Sequence, residues 1–115
     1  MSEKKTKEVY PAIPIQERTA CPAHPGEVLK GLYLDELNIT LADFARQIGV
    51  SRKAVSMIAN QHKSVTPEMA LRFAKALATT PELWLDMQRN YDLWQAAHPR
   101  PGFLDAIKPI KAAML

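Results

Sequence analysis

The stretch LADFARQIGVSRKAVSMIAN, from Leu41 to Asn60, leaves this chain little freedom in how it folds. Thr40 and Ser51 each precede a run with helical spacing. Both are good helix N-caps, because a side-chain oxygen there accepts a backbone N–H that the helix leaves unpaired. Gly49 ends the first run, where the left-handed conformation of a helix terminus suits a residue without a Cβ. Only Gly49-Val50-Ser51 then separate a helix predicted over 41–48 from one predicted over 52–60, so the two must cross steeply. Such a crossing needs a small side chain at the contact, and Ala45 supplies it. Val50, Val55 and Ile58 are spaced to lock the second helix onto the first, with Ile48 beneath them.

The rest of the chain is consistent with that pair. Pro25 suits a first helical position, where its missing N–H has no partner to lose. The helix it opens is expected to run to about Leu37, with Val28, Leu29, Leu32 and Leu37 in helical register. Thr66-Pro67-Glu68 and Thr80-Pro81-Glu82 repeat one start signal: a capping oxygen, a proline, and an acid favoured by the helix dipole. The first of these opens a helix carrying Met69, Leu71, Phe73, Ala74 and Leu77, and the second a longer one reaching about Ala97. Nothing between residues 24 and 98 reads as a strand. With 115 residues, 47% of them hydrophobic, the chain can bury one core. The predicted fold is all-α: a compact five-helix helix-turn-helix domain over 24–98, with flexible extensions over 1–23 and 99–115. Pro11 and Pro14 forbid a regular helix in the arm, and Pro109 limits one in the tail around Phe103, Leu104, Ile107 and Ile110.

Several function classes are disfavoured. Cys21 stands alone, so there is no disulfide framework. His24, His62 and His98 lack the spacing of zinc ligands, and neither a metal nor a cofactor is expected. The opening MSEKKTKEVY has no apolar run, so a signal peptide or membrane span is not expected and a cytoplasmic location is. No nucleophile–base pair, paired carboxylates or glycine-rich phosphate loop is present, so an enzyme is not expected. Glu27, Asp35 and Glu36 look like a solvated helix face.

Charge is uneven along the chain. In residues 46–75, Arg46, Arg52, Lys53, Lys63, Arg72 and Lys75 are opposed by Glu68 alone, a net +5. The flanking segments 24–45 and 76–98 carry −3 and −2. Once Ala45, Gly49, Val50, Val55 and Ile58 are assigned to packing, the second helix of the motif has Arg52, Lys53, Ser56, Met57 and Asn60 left over. Cations and hydrogen-bonding groups at the N-terminal end of such a helix suit the DNA major groove. The DNA-binding candidates are Ser51, Arg52, Lys53, Ser56, Asn60 and Lys63. Lys63 lies in a loop positioned for phosphate contacts, where His62 is read as a loop residue.

With these residues in place, the chain resembles the Cro/cI-like (Xre) repressors, and among them the HigA-type antitoxins of toxin–antitoxin modules. The resemblance rests on His24-Pro25-Gly26-Glu27-Val28-Leu29, on Ala45 to Arg52, on Val65 to Arg72, on Thr80-Pro81-Glu82-Leu83-Trp84-Leu85, and on Gln88 and Asn90 to Leu93. It covers about residues 24–98. It implies a homodimeric repressor that binds the palindromic double-stranded DNA operator of its own operon and neutralises a small ribonuclease toxin. A stand-alone Xre-type repressor without a toxin would share the same DNA chemistry. Two departures stand out. Leu41 occupies a position where many of these domains have a phosphate-gripping glutamine, and the arm of residues 1–23 is longer than in a minimal member.

The last helix carries Trp84, Met87, Tyr91 and Trp94 as an apolar stripe. Trp84 is expected in the core, and Tyr91 and Trp94 at a dimer interface. In the arm, Tyr10, Ile13 and Ile15 are candidate anchors on a partner surface, the alternative being that the arm folds back on its own domain.

Overall fold

Four hydroxyl side chains set where helices begin. Thr40 Oγ1 accepts the backbone N–H of Asp43 at 3.0 Å, Ser51 Oγ that of Ala54 at 3.0 Å, and Thr66 and Thr80 Oγ1 those of Met69 and Leu83, each at 3.2 Å. The structure is a computed structural model that describes residues 14–110. Its five helices are α1 (Pro25–Val28), α2 (Leu41–Ile48), α3 (Arg52–Ala59), α4 (Pro67–Leu77) and α5 (Pro81–Ala97), and there is no strand among the described residues. A short 3-10 turn, Ile15–Glu17, precedes them. Gly49 ends α2 at φ 77°, in the left-handed region, as its place in the sequence requires.

The first helix departs from expectation. After Val28 the backbone widens into a π-helix over Leu29–Leu34, and a turn with Asn38 at φ 57° follows. In a regular helix, residues 29 and 34 would point about 140° apart, at about 100° per residue. The wider π winding brings positions five apart toward one face, and Leu29 and Leu34 are both buried. Leu32 and Leu37, which the helical spacing assigns to the same apolar face, are instead 66% and 56% exposed. Leu71 in α4 is also exposed.

The core is built around aromatic rings from four elements. Phe73 of α4 lies 5.6 Å from Phe44 of α2 and 5.3 Å from Trp84 of α5, and Tyr33 packs on Trp84 at 5.6 Å. Trp84 is fully buried, and its indole N–H donates to Thr79 Oγ1 at 2.8 Å. Gly26 is where α1 meets the end of α3. A Cβ there would overlap the Ile58 carbonyl and stand 3.1 Å from Ala59 Cα. Only glycine permits that approach.

His24 caps α1, a role its sequence position did not disclose. Its Nδ1 accepts the Gly26 N–H at 2.9 Å, and its ring meets Tyr91 edge-on at 4.9 Å. Accepting through Nδ1 places the ring proton of the neutral imidazole on Nε2. Burial holds its pKa below the usual 6.5, against the opposing pull of the Asp92 and Glu27 carboxylates. The unfolded chain therefore takes up this proton before the folded one does. Stability from this site is full above pH 6.5 and is lost as pH falls through that value toward the lower folded one. Thermal melts between about pH 7 and about pH 5 should show a falling midpoint in the wild type. They should show a flatter profile for His24→Asn, which keeps a capping oxygen but does not titrate in this range. Equal slopes for the two proteins would contradict the assignment.

Candidate nucleic-acid interface

The packing half of the predicted motif is assembled as its spacing requires. Ala45, Val55 and Ile58 are buried, Ile48 lies below them, and Val50 packs against the same core from a half-buried position. Gly49 forms the turn. These contacts fix which face of α3 turns outward.

On that outer face Arg52, Lys53 and Asn60 are exposed and Ser56 is half-buried. Ser51 is exposed as the cap of the helix, its oxygen engaged by Ala54 and its hydroxyl proton still available. Asn60 Nδ2 donates to Ser56 Oγ at 3.1 Å, so these two candidates form one hydrogen-bonded pair on the surface of α3. Gln61, at φ 65°, turns the chain back, and the N–H groups of His62 and Lys63 both point to Met57 O, at 2.7 and 3.2 Å. Lys63 is therefore held near the end of α3 on an ordered loop.

Cations in the basic middle third divide into two groups. Arg46 is paired with Asp43 one helical turn before it, and Arg72 binds Glu68 Oε2 at 2.9 Å and the Ile48 carbonyl at 2.6 Å. Arg52, Lys53 and Lys63 have no acidic partner among the described residues. The positive charge left for an external anion therefore lies at the start of α3, in the loop after it and, on α4, at exposed Lys75, which also has no acidic partner among the described residues. Leu41, the first residue of α2, is half-buried against the core and offers nothing to a phosphate, in keeping with its chemistry. No helix among the described residues is long and apolar enough to cross a membrane.

Gln88 is a residue whose role the sequence did not disclose. Buried in α5, it accepts the Val65 N–H at 2.8 Å through Oε1 and donates to Asp92 Oδ1 at 3.0 Å. It ties the loop bearing Lys63 to the far side of the domain. A glutamine four residues after a buried tryptophan, on the apolar stripe of a helix, is the signal that was present.

Tyr91 and Trp94 are both half-buried, and both have partners within the chain. Trp94 stacks on His98 with ring centroids 3.7 Å apart, and its indole N–H donates to Arg18 O at 2.7 Å. Tyr91 contacts His24. Gln95 Nε2 reaches Cys21 Sγ at 3.6 Å. The described part of the arm, residues 14–23, is therefore laid along α5. Tyr10 and Ile13, two of the three proposed arm anchors, lie outside the described residues, and Ile15 is half-buried.

Comparison with known proteins agrees with this architecture. A helix-turn-helix family model matches residues 32–84. An HTH-type transcriptional regulator of Haemophilus influenzae is 35% identical over 96 residues, covering 84% of this chain and 89% of that protein. Antitoxin HigA-1 of Vibrio cholerae is 35% identical over 89 residues, covering 77% and 84% respectively. Among solved structures, antitoxin GraA in complex with its operator superposes with a TM-score of 0.74 at 32% identity, over 82% of this chain and 95% of GraA. Helix-turn-helix repressors and antitoxins of this kind are not enzymes. With the same five helices, the same turn and relatives that this chain spans almost end to end, the protein belongs to the HigA-type helix-turn-helix family of antitoxins and transcriptional regulators.

Proposed function

We propose that this protein is an autoregulatory antitoxin. As a homodimer it binds the palindromic operator of its own operon through α3, and it also neutralises a partner ribonuclease. The observation that carries the DNA reading is the division of cations. Arg46 and Arg72 are paired with carboxylates of their own helices, while Arg52 and Lys53 at the start of α3 and Lys63 in the loop after it have no acidic partner among the described residues. A helix entering the major groove with an arginine in its first turn can address guanine O6 and N7 with two hydrogen bonds. The operator complex of GraA supports the same use of this fold here. Dimerisation over α5 through the accessible edges of Tyr91 and Trp94 would set two half-sites about one helical turn, or a multiple of it, apart.

Mobility shifts on the gene's own promoter test the assignment. Arg52→Ala should weaken binding by about 1–3 kcal/mol and relax preference at one base pair. Lys63→Ala should weaken binding to every sequence alike, as loss of a phosphate contact does. Wild-type behaviour from both variants would remove α3 from the groove.

A repressor without a toxin would use the same surface, and the regulator from Haemophilus influenzae favours keeping that second reading. Co-purification with the product of the adjoining gene separates the two. A stable complex supports the antitoxin, and its absence supports the repressor alone.

A further inference from the structure

Arg72 lies on α4, yet its guanidinium reaches the end of a different helix. Nη1 donates to the carbonyl of Ile48, the last residue of α2, at 2.6 Å, across 24 residues of sequence. Nε and Nη2 grip Glu68 Oε2 at 3.2 and 2.9 Å in the first turn of α4. The neighbouring α2 carbonyls are satisfied locally: the Gly49 N–H points to Ala45 and Arg46 O, and the Val50 N–H to Ala45 O. Ile48 O is thus met by the arginine, at the negative end of the α2 dipole, where a cation is favoured. A Cβ at position 49 would stand 3.3 Å from the same Nη1, so the turn glycine and the guanidinium fit against each other.

This placement matters because of how α3 is held. Its C-terminal end leans on α1 through the Gly26 contact, whereas its N-terminal end, with Arg52 and Lys53, is set by buried Val55 and by the Gly49-Val50-Ser51 turn. One guanidinium hydrogen bond ties the end of α2, just before that turn, to α4, while Glu68 on Arg72's own helix holds the planar fork in place, two tasks a lysine could not do at once. We infer that Arg72 is a positioning residue for DNA recognition: it fixes the angle at which the start of α3 is presented, and so governs discrimination between sequences rather than general affinity for DNA. Three of its five N–H groups are engaged by Ile48 and Glu68, and the salt dependence below separates this positioning role from a phosphate contact.

The inference rests on the proposed operator reading, and the test separates the two. Binding of wild type and Arg72→Met is measured on the promoter fragment and on a scrambled duplex of equal length, over a range of salt, with helicity checked by circular dichroism. A wild type that fails to prefer the promoter defeats the operator reading. Given that preference, folded Arg72→Met should lose about tenfold in the ratio of the two affinities, the size of one mismatched base pair. The salt slope on the scrambled duplex should be unchanged, because no phosphate contact is removed. An unchanged ratio would overturn the inference, as would equal losses on both duplexes with a shallower slope. Should Arg72→Met fail to fold, Glu68→Ala, which frees the guanidinium from its exposed holding carboxylate, carries the test: a several-fold lower ratio supports the inference, and a wild-type ratio overturns it.

Discussion

Gly26→Ala is expected to cost at least about 3 kcal/mol, at the upper end of what overpacking a core costs, although it adds a single methyl group. The added carbon would fall on the carbonyl of Ile58 and against Ala59 Cα. Both neighbours are backbone atoms at the end of α3, so no side chain can rotate away and the helices must separate. With α1 shifted, the His24 cap and the burial of Leu29 are disturbed together. A domain of this size loses about 4–8 °C of melting temperature per kcal/mol, so the midpoint should fall by about 12 °C or more. Gly31→Ala is the internal control. A Cβ at Gly31 meets nothing within 4 Å, so the change should be neutral or stabilising by up to about 1 kcal/mol. Similar melting curves for the two variants would show that the α1–α3 approach is not as close as described.

Trp84→Ala should cost about 3–5 kcal/mol, a large part of the stability of a small domain. The ring is fully buried and forms the contact between Phe73 and Tyr33, so truncation opens a cavity among groups that are themselves fixed. It also leaves the Thr79 hydroxyl without the indole N–H. Trp84→Phe separates the two effects. It retains most of the volume and loses the hydrogen bond, so a smaller cost of about 1–3 kcal/mol is expected. Urea denaturation followed by far-ultraviolet circular dichroism measures both variants. Near-equal costs would mean that the hydrogen bond, and not packing, dominates at this site.

What was legible in the sequence was local. The caps at Thr40, Ser51, Thr66 and Thr80 work over three residues, and the Ala45-Gly49-Val55-Ile58 spacing encodes one helix crossing. Both were therefore visible without knowledge of the rest of the chain. The outer face of α3 followed by subtraction, since packing leaves Arg52, Lys53, Ser56 and Asn60 outside. Features that depend on distant partners were hidden. The π winding at Leu29–Leu34 trades a regular helix for two buried leucines, a choice made by the core and not by the local sequence. Gln88 and Arg72 reach backbone groups 23 and 24 residues away, and Trp94 reaches one 76 residues away. A sequence stripe marks Trp94 as large and apolar, but it does not reveal that the arm and His98 already cover part of it.

The division of cations also explains why net charge was a poor guide. At +3 overall the chain is only mildly basic, and two of the cations in its basic segment are paired with carboxylates of their own helices. Arg52, Lys53 and Lys63 carry the proposed interface because they flank α3 with no acidic partner among the described residues.

Titration of the wild-type protein against its own promoter fragment and a scrambled fragment of equal length, at several salt concentrations, tests the central claim most directly. The account predicts that affinity for both falls as salt rises, with the promoter favoured by about a thousandfold or more near physiological salt. Equal affinity for the two fragments, or no measurable binding to either, would contradict it.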